Sequence, residues 1–174
     1  KKAPDVNQFD PTTNGQLKVY SDSYTRNIKN SANNKDYVYP SLADMAFHYW
    51  ATDLQPGIAN KLSPRITKSG PEKFTSGTLE NTIDEEWNPK NNPATWQHLV
   101  QYTVVYGPKA STLTKNTTTS PQFTGGMYGS GFTDLVVGKT KWDNVIGTAA
   151  DGDYDDYRPQ DMWHMAINSR GKFY

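Results

Sequence analysis

The chain has 174 residues, and its 18 Lys and Arg residues equal its 18 Asp and Glu residues, so the formal net charge is zero. This balance argues against a nucleic-acid-binding protein, because neutralising several phosphates requires a local surplus of cations. The absence of cysteine excludes a disulfide scaffold, thiolate metal sites and a cysteine nucleophile, and no apolar run reaches the roughly 18 residues that span a membrane.

The composition favours a loop-rich protein at the cell surface or outside the cell. The chain contains 11 Tyr, 5 Trp, 13 Gly and 11 Pro residues, and turn formers with amphipathic aromatics are less typical of a compact cytosolic enzyme. We expect residues 1–174 to form a single domain or a fragment of one. No secretion leader follows Lys1, and the mostly polar residues 1–40, with a possible short strand at Leu17–Tyr20, indicate a start inside a larger protein.

A helix is predicted from residue 42 to about residue 54. Ser41 precedes Asp44 by three residues, which is a weaker form of the capping box. Apolar residues then recur at spacings of three and four, as on one buried helix face. That face consists of Leu42, Met45, Ala46, Tyr49 and Trp50. The helix should end before Pro56, and His48 on the opposite flank is predicted to be a partly exposed residue rather than a ligand.

The segment 63–92 is predicted to be a long loop insert, because it is rich in Pro, Gly, Ser and Thr. It contains three consecutive carboxylates at Asp84, Glu85 and Glu86. Paired carboxylates suit acid–base catalysis, but adjacent carboxylates in a polar loop are usually solvated, so the non-catalytic interpretation is favoured.

The most strand-like part of the chain is residues 93–107. A polar turn opens it, a run rich in β-branched and aromatic residues follows from Leu99 to Tyr106, and Gly107-Pro108 ends it. A short, nearly continuous apolar run between turn signals is typical of a strand buried on both faces. We therefore predict that it lies in the middle of a sheet.

The segment 108–157 is predicted to be a second long loop insert. Its glycine-rich residues 125–131 match neither of the common phosphate-binding spacings, so they are interpreted as a flexible loop. Residues 132–137 are a possible strand.

The densest acidic cluster offers a weak candidate calcium site at Asp151, Asp153 and Asp155. These alternate carboxylates resemble the first three ligands of an EF-hand loop, but position six is Asp156 rather than Gly and position twelve is Met162 rather than Glu. An exposed acidic turn is favoured, and a divalent cation, calcium or magnesium, stays open as a cofactor.

A second helix is predicted near the C-terminus. Pro159 suits its first turn, and its apolar face consists of Met162, Trp163, Ala166 and Ile167. Gly171 is placed to end it in a left-handed conformation, and residues 172–174 would begin a strand. Two helices beside a buried strand predict an α/β layer structure.

Other chemistry receives little support. The three histidines, His48, His98 and His164, would have to converge to bind zinc, and no HExxH pair is present, so hydrogen bonding to the backbone is favoured. No serine lies in a GxSxG elbow. The aromatic residues, Trp87 and Trp142 in particular, could instead form a stacking platform for sugars, although most aromatics in the organised segments suit a core.

Three segments carry a resemblance to a known family. They are Ser41-Leu-Ala-Asp-Met-Ala-Phe-His-Tyr-Trp-Ala-Thr-Asp-Leu54, then Asn92-Pro-Ala-Thr-Trp-Gln-His98, and then Asp161-Met-Trp-His-Met-Ala-Ile-Asn-Ser-Arg-Gly-Lys-Phe-Tyr174. In this order they closely resemble motifs of the PilY/PilC family of type IV pilus tip-associated adhesin and biogenesis proteins. The matched segments cover about a quarter of the chain.

The resemblance implies a position in the later half of a von Willebrand factor A-like region, upstream of a β-propeller. Residues 99–106 would then be a late strand of a Rossmann-like doubly wound sheet, flanked by helices and interrupted by the long loop inserts 63–92 and 108–157. The Asp-x-Ser-x-Ser and Thr-Asp-Gly motifs of such a domain's metal site are absent, so the resemblance implies no metal ligands. It also implies a location at the bacterial cell surface, at the pilus tip and in association with the outer membrane.

Three functions are weighed on this basis. The favoured one is a non-enzymatic module for adhesion and pilus biogenesis, whose partners would be minor pilins or tip components, a host or abiotic surface receptor, and the remainder of its own polypeptide. The alternatives are a carbohydrate-binding module that uses exposed aromatics and a hydrolase with an unidentified acidic pair.

Overall fold

Short strands and three helices make up the regular secondary structure in the part of the chain that the structure describes. The computed structural model describes residues 26–30, 35–39, 42–106, 120–142 and 154–174; for residues 26–30, 35–39, 44 and 154–157 this description covers the backbone alone. The possible strand at Leu17–Tyr20 and the predicted cap Ser41 lie outside the described residues. The earliest described elements, β1 (Arg26–Asn30) and β2 (Lys35–Tyr39), pair as an antiparallel hairpin, where the sequence predicted mostly loop.

The predicted first helix is confirmed as α1 (Leu42–Ala51), but its buried face differs from the predicted one. Ala43, Ala46, Phe47 and Trp50 are buried, whereas Leu42, Met45 and Tyr49 are 38–45% exposed. The buried face packs against the C-terminal helix α3 (Tyr154–Asn168). The approach distance of two helices depends on the side chains between them, so the two alanines on the buried face allow close contact, while Leu42, Met45 and Tyr49 lie on the outward side.

The predicted apolar face of α3 is confirmed. Trp163, Ala166 and Ile167 are fully buried, and Met162 is partly buried. The helix begins at Tyr154, so the prediction that Pro159 occupies the first turn is wrong. Pro159 lies inside the helix, where its ring removes one backbone donor from the ladder.

Arg170, and not Gly171, adopts the left-handed conformation at the end of α3, with φ of 64°. The amides of Arg170 and Gly171 donate to the carbonyls of Ile167 and Ala166, at 3.1 and 2.9 Å, which is the Schellman arrangement. Gly171 is needed for another reason, because a Cβ there would lie 1.7 Å from the carbonyl oxygen of Gln101.

The prediction of a central strand buried on both faces is wrong. Only Tyr102–Thr103 forms a strand, β5, which pairs in parallel with β6 (Lys172–Phe173). Thr103 and Phe173 are buried, while Tyr102, Val104 and Tyr106 are 64–92% exposed. One face of this pair packs on α3, and the apolar residues that suggested a doubly buried strand lie largely on the other.

Residues 63–92, predicted as a loop insert, contain the antiparallel hairpin of β3 (Glu72–Ser76) and β4 (Leu79–Ile83). The hairpin packs on a short helix, α2 (Ser130–Val136). Phe74 meets Phe132 edge to face, with ring centroids 5.7 Å apart, and the Asn81 side chain donates to the Val136 carbonyl at 2.8 Å. Periodicity did not reveal this hairpin, because only Phe74 and Ile83 of its ten strand residues are buried.

The possible strand at 132–137 is also wrong, since most of these residues belong to α2. The glycines before it form a packed turn rather than the expected flexible loop. A Cβ at Gly131 would lie 1.5 Å from the carbonyl oxygen of Gln122, and Gly125 has a φ of 80°. Glycine is required at both positions, by close backbone approach and by left-handed conformation.

A single apolar cluster joins these elements in the described part of the chain, with α1, α3, the hairpin, α2 and the segment 92–98 all contributing. The structure is therefore mixed α and β, as predicted. Its sheets are three separate two-stranded ones within the described residues. No helix of the described part is long and apolar enough to cross a membrane.

Candidate functional site

The three segments that carry the family resemblance meet in one place, which we call the motif junction: α1, residues 92–98 and residues 161–171. At its centre four side chains close a ring of hydrogen bonds. The Trp50 indole donates to Asn92 Oδ1 at 3.0 Å, and the Trp96 indole donates to the Trp50 carbonyl at 2.9 Å. His98 completes the ring, with Nε2 2.9 Å from Asn92 Nδ2 and Nδ1 2.7 Å from the Trp96 carbonyl.

The ring defines the tautomer of His98. A carbonyl oxygen can only accept, so Nδ1–H donates to Trp96. Nε2 is left as the acceptor for the Asn92 amide, whose oxygen is already used by the Trp50 indole. Both nitrogens of the imidazole are therefore occupied by structural hydrogen bonds, which confirms the predicted backbone-bonded role of His98 and leaves no lone pair for a metal.

Helix α3 holds the N-terminal end of α1 through polar contacts. The Asp161 carboxylate accepts from the amides of Leu42 and Ala43, at 3.2 and 3.3 Å. The side chain of Asn168, fully buried, donates to the Ala43 carbonyl at 2.9 Å. A carboxylate at a helix N-terminus accepts hydrogen bonds from the unpaired amides and interacts favourably with the positive end of the helix dipole. Asp161 therefore caps a helix that lies more than a hundred residues before it in the sequence.

A buried arginine closes the junction. Arg170 is 1% exposed, and its guanidinium carbon lies 4.1 Å from the ring centroid of Trp50, a cation–π geometry. Its Nη2 donates to the Glu86 carbonyl at 3.3 Å. Burial lowers the pKa of Arg170 well below its ordinary value, because a charge removed from water is disfavoured. Arg170 therefore links α3, α1 and the segment after β4.

The histidines do not converge. His48 is exposed on α1, and His164 is buried and stacked on Trp142 with ring centroids 4.1 Å apart. Among the described residues, no group of three or more His, Asp or Glu side chains is arranged to hold a metal ion. The calcium candidates Asp151 and Asp153 lie outside the described residues, as does the side chain of Asp155.

The acidic triplet after β4 serves the local fold. The Glu85 carboxylate accepts from the Gly70 amide at 2.6 Å. The Asp84 carbonyl accepts from the amides of Trp87 and Asn88, at 3.0 and 2.9 Å. These contacts form a turn, in which the Glu85 carboxylate is bound to a backbone amide.

The tryptophans named for sugar binding are not exposed platforms. Trp142 is 4% exposed, between the rings of Trp163 and His164. Trp87 is partly buried against the core. These two aromatic residues are thus used for packing and do not form the platform. The carbohydrate alternative, which calls on exposed aromatic residues in general, stays a prediction.

The sequence did not reveal the roles of Asp161 and Arg170, although both lie in one of the three segments that resemble the family. The buried asparagines Asn88 and Asn91 were not predicted either. Their signal was the polar run 88–92, Asn-Pro-Lys-Asn-Asn, but a run of turn formers alone does not distinguish a solvated loop from a buried hydrogen-bonded one.

Comparison with known proteins supports the family resemblance. Type IV pilus biogenesis factor PilY1 of Pseudomonas aeruginosa PAO1 is 38% identical over 140 residues, which cover 80% of this chain and 10% of that protein. The PilY1 of strain UCBPP-PA14 is 43% identical over 135 residues, which cover 77% of this chain and 10% of that protein. No protein-family model and no solved structure matches the chain significantly.

The chain therefore spans about a tenth of the length of the curated relatives that it matches. Within that tenth the similarity extends well beyond the three motifs, since it covers about four-fifths of this chain. The chain therefore belongs to the PilY/PilC family, as the three motifs predict.

Proposed function

We propose that this chain is a non-enzymatic module of a type IV pilus-associated protein and contributes to pilus biogenesis and to surface adhesion. The observation that carries the proposal is the similarity to PilY1, named a pilus biogenesis factor, over 80% of this chain. The residues that carry the resemblance meet in the motif junction, so in this chain they form one folded unit rather than scattered matches.

The chemistry of the junction supports a structural module. Its ring of hydrogen bonds occupies both nitrogens of His98, and its carboxylate, Asp161, caps α1. The Glu85 carboxylate is likewise engaged by a backbone amide. General acid–base catalysis needs a titratable group within reach of a substrate, and these groups are directed at the protein itself.

We place the module at the cell surface, at the pilus tip, with the rest of its own polypeptide as its first partner. The outward side of α1 supports this, because Leu42, Met45 and Tyr49 expose 38–45% of their area on one helix. Minor pilins or other tip components and a surface receptor are the further partners we propose. The von Willebrand factor A-like assignment is also proposed; the parallel pair β5–β6 packed on α3 is the feature in keeping with it.

The proposal is tested by Asn92→Ala in the complete polypeptide, expressed in its own bacterium lacking the wild-type copy. Asn92 is central to the junction, so we expect fewer surface pili by electron microscopy and weaker attachment. His48→Ala, which alters an exposed residue of the same motif, is the matched control and should leave both unchanged. Immunoblots report the amount of each variant.

Two outcomes would count against the proposal. Normal pilus number with reduced attachment would remove the biogenesis role. Normal pili and normal attachment, with the purified Asn92→Ala protein clearly destabilised, would show that this module serves neither process.

A further inference from the structure

We propose that the cleft between residues 65–68, residue 90 and β6 binds a phosphate or sulfate group. This basic cleft has a volume of about 350 Å³ and is lined by Arg65, Thr67, Lys68, Lys90, Tyr128 and Lys172, beside Gly171. Four cationic residues from three segments therefore line one cavity in a chain whose net charge is zero, and one of them, Arg65, also donates through Nη2 to the Arg170 carbonyl at 3.3 Å. The proposal is independent of the pilus assignment.

The charge of the basic cleft is only partly compensated. Lys90 forms an ion pair with Glu72 at 2.7 Å, and no acidic side chain is among the described residues that line the cavity. Within the described part of the chain, Arg65, Lys68 and Lys172 form no ion pair. Like charges around a concave surface focus a positive potential, which raises the local concentration of anions.

The Lys90–Glu72 pair is held by a buried asparagine. Asn88 donates to the second carboxylate oxygen of Glu72 at 2.6 Å. Burial opposes ionisation of Glu72, but the hydrogen bonds from Lys90 and Asn88 and the charges of Lys90 and Lys68 outweigh it, so the pKa of Glu72 lies below its ordinary value. Glu72 thus stays charged and anchors Lys90 at the edge of the cleft.

The backbone carrying the other cations is equally constrained. Asn91, fully buried, accepts from the amides of Thr67 and Lys68 at 2.8 Å each and donates to the Lys68 carbonyl at 2.7 Å. Arg65 pairs with the backbone of Asn92 through two bonds of 2.8 Å. A site whose backbone is already ordered loses less entropy when a ligand binds.

The cleft selects a tetrahedral oxyanion over a planar carboxylate. Its cationic residues come from three segments of the chain, and phosphate and sulfate present acceptor oxygens in several directions, whereas a carboxylate presents two in one plane. Tyr128 forms an uncharged wall, because its hydroxyl donates to the Pro89 carbonyl at 2.9 Å and burial raises its pKa. The cavity admits a free anion or the same group on one sugar ring.

Calorimetry on the purified complete polypeptide tests the proposal, with inorganic phosphate, inorganic sulfate, glucose 6-phosphate and acetate as probes. We expect phosphate and sulfate to bind at least about tenfold more tightly than acetate, and binding to weaken with added salt. Tighter binding of glucose 6-phosphate than of inorganic phosphate would identify a sugar-borne group as the ligand. Equal binding would identify the free anion.

Lys172→Ala and Lys68→Ala should each weaken phosphate binding by roughly tenfold or more, since each removes one charged contact. Lys61→Ala is the matched control, because Lys61 is also exposed and does not line the cleft. Thermal unfolding confirms that each variant folds. Absence of phosphate and sulfate binding, equal binding of acetate, or unchanged binding in both cleft variants would overturn the proposal and leave the pilus assignment intact.

Discussion

Replacement of Asn92 by alanine tests the hydrogen-bond ring of the motif junction most directly. The substitution removes the acceptor for the Trp50 indole and the donor to His98. Trp50 is fully buried, so its N–H loses its partner without gaining water, at a cost of about 1–3 kcal/mol. The lost bond to the partly buried His98 adds about 0.5–1.5 kcal/mol. We therefore expect the free energy of unfolding to fall by about 2–4 kcal/mol and the Tm to fall by roughly 5–15 °C.

Urea unfolding followed by far-ultraviolet circular dichroism measures this loss. Asn60→Ala is the matched control, because Asn60 is exposed and should change stability by no more than about 0.5 kcal/mol. A double-mutant cycle with Trp50→Phe isolates the bond itself, and we expect a coupling of about 1–2 kcal/mol. A coupling within about 0.5 kcal/mol of zero would refute the claim that Asn92 stabilises the junction through this bond.

Three further predictions concern the cap, the packed turn and the basic cleft. Asp161→Ala should destabilise the protein by about 1 kcal/mol through loss of the α1 cap. Asp161→Asn, which loses the charge but keeps one of the two acceptor oxygens, should cost less; equal costs in thermal unfolding would contradict a role for the hydrogen bonds. Gly131→Ala should cost about 3 kcal/mol or more, because its Cβ would overlap a backbone oxygen, whereas Gly57→Ala, with open space around it, should stay within about 0.5 kcal/mol. The folded-state pKa of Glu72 is depressed. The stability that the charged Glu72 contributes is therefore present above the unfolded-state pKa of about 4.3 and is lost as the pH falls through the folded-state pKa. In Glu72→Gln the free energy of unfolding should fall less steeply as the pH is lowered, and an unchanged pH dependence would show that the ion pair with Lys90 adds no stability.

The two long helices were predictable because their signals are local. Apolar residues at spacings of three and four produced a helix at 42–51 and another ending at residue 168. The same signal failed to identify which side of α1 is buried, since Ala43 and Trp50 share a face that Leu42 and Met45 do not. Alanine contributes little to an apolar pattern, yet it is the residue that permits close helix contact.

The prediction of a central strand was wrong for a related reason. Residues 99–106 have the β-branched and aromatic composition of a buried strand, but β-propensity describes the fit of a side chain to a pleated surface and not which surface is covered. In the structure Thr103 faces α3 while Tyr102 and Val104 face outward. The strand predicted at residues 132–137 was wrong as well. Its apolar run belongs mostly to helix α2, which follows a tight turn that requires glycine.

The sequence by itself determined the family resemblance, the positions of the main helices and the absence of thiol chemistry. These features depend only on residue identity and on spacings shorter than two helical turns. The tertiary structure alone decided that Asp161 caps α1, that Asn92 accepts a hydrogen bond from Trp50, and that Arg65, Lys68, Lys90 and Lys172 line one cavity. The first two contacts join residues 119 and 42 positions apart. Local periodicity cannot predict such contacts, because they form only when the chain folds and brings distant residues together.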